Sequence, residues 1–310
     1  MVNNSPAQNY NALHKPASDT GGLILSISVL AMYLVSLIFG LIIQGVEDMP
    51  ADLSLYLSYL AAPIGITAAV FGTLRYKNVQ FKSVFPVSCH PKYYLIGVLF
   101  IFGLLFSVSM IDAPVLELFK ALGYEERGAE SYFPDLSGAN VLIALIIIAV
   151  IPALVEETLF RGVILNACEE SMGTIRTIFV VGFCFALFHA SPEQTVYQFI
   201  AGCAFALIAV RSGSILPSIV MHFINNALII IFAACGLYDE AGALIMSDDA
   251  FLVVTVLSAA SFIVAVGLLI KDSKPWKKGR EGGVAQFFLF ASVGIVILAV
   301  SWVLSFFVIE

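Results

Sequence analysis

Apolar residues in this chain fall into long unbroken runs divided by short polar stretches, and not into the alternations of half-buried strands or soluble amphipathic helices. The runs cover 22–43, 53–74, 93–111, 139–165, 174–189, 194–210, 215–237, 251–270 and 285–308. An α-helix needs about 20 apolar residues to cross a bilayer, so the pattern predicts an all-α polytopic transmembrane helical bundle of about nine spans. The fifth and sixth runs are short for lipid-facing helices, which leaves eight spans as the alternative count. The first run is about twice the length of a signal-peptide core and lacks a small-residue cleavage pattern, so it is expected to stay as a first span. In the longest loop, 114–123 places Val115, Leu118, Phe119 and Leu122 on one face, which predicts a short helix lying in the interface and ended by Gly123.

Composition sharpens this picture. Of 310 residues, 60% are hydrophobic and 12% charged, against about 25% charged in soluble domains, and the mean hydropathy is +0.98. A net charge of −7 offers no basic face for nucleic acid. Five cysteines form no CxxC pair, and no disulfide framework is expected. Lys15, Arg75, Lys77, Lys82, Lys92, Arg176, Arg211, Lys271, Lys274, Lys277, Lys278 and Arg280 fall in one set of alternate loops, whereas the other set holds only Lys120 and Arg127. Cytoplasmic loops collect Lys and Arg, so the amino terminus is expected inside and the carboxyl terminus outside.

Ionisable side chains inside apolar runs carry the chemistry, because each costs on the order of 3 kcal/mol at mid-membrane. The fourth run holds Glu156, Glu157 and Arg161 in EETLFRG. Glu157 and Arg161, one helical turn apart, can pair, either as a structural ion pair or as part of a site. Glu156 points about 100° away and is left without that partner. Pro152, a turn earlier, is expected to kink the helix by removing the hydrogen bond to the Ile148 carbonyl. His189 closes the fifth run in FALFHASPEQ, where Ser191 and Gln194 read as a capping box for the next helix. His222 and Asn226 share a face in HFINN, with Asn225 turned away. At 1.5 Å rise per residue, these groups lie roughly 14–27 Å above the cytoplasmic turns, one broad level. A free carboxylate, two imidazoles and an amide are the parts needed to activate water against a carbonyl.

These strings resemble a known family. EETLFRG matches the EExxxR motif, Phe185 to His189 the FxxxH motif, and His222 to Asn226 the HxxxN motif of the CPBP intramembrane proteases, the Abi or CAAX prenyl protease 2/lysostaphin resistance protein A-like group. The resemblance implies that Glu156 activates water with the help of His189, that His222 and Asn226 form the oxyanion site, and that Glu157 and Arg161 support them. It covers roughly 142–237, within a CPBP/Abi-like catalytic core (139–237), while the polar tail (1–21), the amino-terminal spans with the interfacial helix (22–138) and the carboxyl-terminal spans (238–310) rest on hydropathy alone. The implied activity is an intramembrane endopeptidase of glutamate type acting on membrane-embedded or lipidated peptide substrates. A proton-coupled transporter is the alternative from another class, and a non-catalytic immunity or scaffold protein is a third reading. No cofactor is expected. Were a zinc ion present, Glu156, His189 and His222 would be its ligands, although the chain lacks HExxH.

Overall fold

The computed structural model describes residues 16–125, 133–238 and 244–307; among these the chain forms helices, loops and two isolated β-bridges. In lipid, backbone polar groups have to be satisfied within the segment that carries them, and the long apolar runs do so as helices. They are α1 (Ser18–Gly45), α2 (Ala51–Tyr76), α3 (Lys92–Ala121), α4 (Asn140–Met172), α5 (Thr174–Phe188), α6 (Thr195–Ser212), α7 (Leu216–Ala234), α8 (Asp248–Ile270) and α9 (Gly283–Leu304). Eight are long and apolar enough to cross a membrane, and α5 is a shorter apolar helix. Both expected counts, nine and eight, thus differ only in how α5 is treated.

Helix α4 is the hub, packed against α1, α2, α5, α6, α7 and α9. Helix α8 lies on α3, and α9 lies on α1. The α1–α9 seam is pinned by polar groups: Tyr33 Oη donates to Ser301 Oγ at 2.5 Å, and Ser26 Oγ donates to the Phe290 carbonyl at 2.8 Å. The outer faces of α8 and α9 stay apolar and open, with Ile263 70% and Leu289 71% exposed. Surfaces of this kind match acyl chains, not water.

Two local expectations are corrected, and a third gains a structural detail. First, the stretch over 114–123 is no separate interfacial helix. A π-helical turn at Leu104–Val108 carries α3 on to Ala121, and Gly123, at φ +95°, ends it as expected. The apolar run stops before Asp112, but that carboxylate accepts the Tyr197 N–H at 3.1 Å and is satisfied within the bundle, so it does not end the helix. Second, Ser191 caps nothing: Ala190 enters the left-handed region at φ +47°, and α6 starts only at Thr195. Third, Pro152 is accommodated by a π-helical turn at Leu145–Val150 just before it, a widening that makes room for the ring.

The cation-rich loops meet at one end of the bundle. There Lys92 Nζ pairs with Asp272 at 2.7 Å, and Lys277 Nζ reaches Glu169 at 2.7 Å and Glu170 at 2.6 Å. Arg211, stacked over Trp276 at 4.6 Å, donates to the Asp272 carbonyl. At the opposite end, Trp302 Nε1 donates to Thr195 Oγ1 at 2.7 Å and Tyr124 Oη to Glu193 at 2.9 Å. Lys15 and Arg127 lie outside the described residues.

Candidate active site

Three helices bring the motif residues into one cluster. On α4, Glu157 and Arg161 are completely buried and paired, with Arg161 Nη1 donating to Glu157 Oε1 at 2.7 Å. A second π-helical turn, Thr158–Ile164, lies between and around them. Arg161 Nη2 donates to the Gly202 carbonyl of α6 at 2.9 Å. Its guanidinium sits 4.4 Å from the Phe185 ring centroid and 5.2 Å from that of Phe205, so a desolvated charge is held by one carboxylate, one carbonyl and aromatic faces.

The same Glu157 oxygen also meets His222 Nδ1 at 3.0 Å. That contact was not expected: in sequence, Glu157 reads as the partner of Arg161 alone, whereas in three dimensions it bridges Arg161 and His222. Its other oxygen, Oε2, is buried without a hydrogen-bond partner, as is Arg161 Nε.

Glu156 stands apart from this pair, as its position a helical step away dictates. Its Oε2 is buried without a hydrogen-bond partner and lies 4.0 Å from His189 Nε2, beyond direct bonding distance. His189 Nδ1 is 2.8 Å from the Phe185 carbonyl. A carbonyl only accepts, so Nδ1 carries the proton, and in the neutral ring Nε2 is an acceptor. Two acceptors therefore face one spot. A water there can donate one hydrogen to Glu156 and the other to His189, leaving its lone pairs for an electrophile.

Asn226 is tied to α4. Its Nδ2 donates to the Ile148 carbonyl at 3.2 Å, the carbonyl to which Pro152 cannot donate. Asn225, read as turned away, is buried and linked into the same cluster. Its Nδ2 reaches Asn226 Oδ1 at 3.4 Å, while its own Oδ1 accepts from Tyr197 Oη at 2.5 Å. Tyr197, Gly202 and Asp112 were not picked out from sequence. A phenol in an apolar run needs a partner for its hydroxyl, and that signal could have found Tyr197.

Cavities reach the cluster from both ends. One of about 280 Å³ is lined by His189 with Tyr59, Tyr124, Ser191, Gln194 and Ser305. Another of about 330 Å³, at the cation-rich end, is lined by Arg161 with Lys82, Asn166, Glu169, Lys274 and Lys277. Among the described residues, no three His, Cys, Asp or Glu side chains stand together as metal ligands. The imidazoles of His189 and His222 are divided between two carboxylates, Glu156 and Glu157.

The fold and this cluster define an integral membrane helical bundle with a polar site among its central helices. Residues 138–228 match the family model described as Rce1-like, type II CAAX prenyl endopeptidase. The matched stretch runs from just before α4 into α7 and contains Glu156, Glu157, Arg161, His189, His222 and Asn226. The match covers less than a third of the chain and agrees with the resemblance read from the three motifs to CAAX-type membrane proteases. No curated protein and no solved structure matches the chain.

Proposed function

We propose that the protein is an intramembrane endopeptidase in which Glu156 is the general base. The observation that carries this reading is the pair of acceptors, Glu156 Oε2 and His189 Nε2, facing each other at 4.0 Å. Glu156 takes a proton from the water they hold while the oxygen attacks the scissile carbonyl carbon. The tetrahedral oxyanion receives the free Nδ2 hydrogen of Asn226, and His222 Nε2 donates to it when that ring is the imidazolium. Collapse of the intermediate breaks the C–N bond, and the proton held by Glu156 passes to the leaving amine. Glu157 and Arg161 touch no reacting atom; they fix His222 and the α4–α6 contact.

The substrate in this reading is a membrane-embedded or lipidated peptide that enters between helices. Gathering of the cation-rich loops at one end supports a cytoplasmic amino terminus and an outward carboxyl terminus for a nine-crossing chain. Cysteine-accessibility labelling tests the orientation. Single cysteines in the 77–90 and 273–280 loops should both react only from the cytoplasmic side, and reaction of both from outside would overturn it.

Glu156→Gln keeps the shape and removes the base. Comparison of membrane-protein termini in cells carrying wild type or this variant should reveal termini that depend on Glu156. On such a site, cleavage is expected to fall by about 10²-fold or more with normal protein abundance. Near-normal cleavage by the variant would sink the assignment.

A further inference from the structure

We propose that Tyr197, acting through Asn225, is a positioning residue that holds the Asn226 amide in the orientation its bond to the Ile148 carbonyl gives it; this rests on the oxyanion role given to Asn226 above. The chain of contacts crosses four helices. The Ile148 carbonyl of α4 accepts from Asn226 Nδ2 at 3.2 Å, Asn226 Oδ1 accepts from Asn225 Nδ2 at 3.4 Å, and Asn225 Oδ1 accepts from Tyr197 Oη at 2.5 Å. The Tyr197 N–H in turn donates to Asp112 Oδ1 of α3 at 3.1 Å, which anchors the start of α6.

Direction in this relay is set at one end. An amide side chain can usually be turned over, and a tyrosine hydroxyl can donate or accept, so neither fixes an orientation alone. A backbone carbonyl can only accept. The Ile148 carbonyl accepts from Asn226, so Nδ2 of Asn226 has to face it. Oδ1 of Asn226 then faces Asn225, whose Nδ2 has to face back, since two amide oxygens would repel. Asn225 Oδ1 is left facing Tyr197, which has to donate. Turning over either amide would set oxygen against oxygen somewhere along the line. The outcome is an Asn226 amide with one hydrogen spent on Ile148 and the other held in a defined direction, as an oxyanion donor requires. Preorganised donors of this kind act because they need not reorient during the reaction.

The test uses full-length protein in nanodiscs and a peptide built on a cleavage site that Glu156→Gln abolishes. Asn226→Ala, Tyr197→Phe and the double variant are compared for kcat, KM and thermal midpoint. Tyr197→Phe leaves the backbone anchor to Asp112 in place. It is expected to lower kcat about tenfold, with KM and thermal midpoint unchanged, and Asn226→Ala to lower kcat by about 10²-fold. In the Asn226→Ala background the tyrosine change should add nothing, because the relay acts only through that amide. Asn225→Ala cuts the same line in the middle and is expected to reproduce the tyrosine result. Full activity of Tyr197→Phe, or losses that multiply in the double variant, would overturn the relay while Asn226 keeps its role. Near-normal kcat of Asn226→Ala would instead overturn the oxyanion assignment.

Discussion

Arg161 shows how much a single buried charge can organise. Its guanidinium satisfies Glu157 at 2.7 Å and the Gly202 carbonyl at 2.9 Å and is walled by the rings of Phe185 and Phe205. Glu157 in turn holds His222. Removing one partner of a buried ion pair leaves the other desolvated and uncompensated, a loss of about 3–5 kcal/mol. Arg161→Ala is therefore expected to lower folded yield and thermal midpoint as well as activity, measured by fluorescence-detected size exclusion and thermal unfolding in detergent. Glu156 should behave in the opposite way, since its Oε2 forms no hydrogen bond that the fold would miss. Abundance separates the two residues even where both variants are inactive.

At the scale of elements, the site depends on a close crossing of α5 and α6. A Cβ on Gly202 would lie 2.9 Å from the Gly182 Cα and 3.1 Å from the Phe185 Cβ, and a Cβ on Gly182 would collide with Cys203. Membrane helices have little hydrophobic drive to associate, so small residues that let backbones approach supply much of their contact. The same approach sets the Gly202 carbonyl in reach of Arg161 and Phe185 under His189. Gly202→Val should separate the helices and destabilise the protein by about 1–3 kcal/mol, read as a lower thermal midpoint. The π-helical turns of α4 belong to this scale too. The sequence shows where Pro152 breaks the hydrogen-bond ladder, but not that Leu145–Val150 widens or that the Ile148 carbonyl accepts from Asn226.

For the whole molecule, loop ends distant in sequence are tied together at the cation-rich face. Asp272 is drawn in by Lys92, by the Tyr93 hydroxyl at 3.0 Å and by the Lys274 N–H at 3.1 Å. Burial alone would raise its pKa, but the hydrogen bonds from Lys92, Lys274 and Tyr93 outweigh burial and hold it down at about 2. A carboxyl whose folded value lies below its unfolded value, about 3.9, stabilises the fold above that unfolded value. The contribution is lost as pH falls through about 2. Asp272→Asn should thus have a lower thermal midpoint than wild type at pH 7, and the difference should shrink as pH falls from about 4 towards 2. A difference independent of pH over that window would assign the effect to packing and not to charge.

Long apolar runs are a local property, and lipid permits few structures other than helices for them, so the sequence alone determined the class of fold, the approximate span count and the spacing of the three motifs. It also marked Glu156 as the carboxylate outside the Glu157–Arg161 pair, because helical geometry separates adjacent residues by about 100°. What an individual hydrogen-bonding group meets depends on other helices, and no periodicity encodes that. Only the tertiary structure decided that Glu157 serves Arg161 and His222 with one oxygen, that Asp112 continues a helix instead of ending it, and that Tyr197 and Asn225 stand behind Asn226. Each of these involves a polar group that meets a partner from another helix, and such pairings exist only once the bundle has closed.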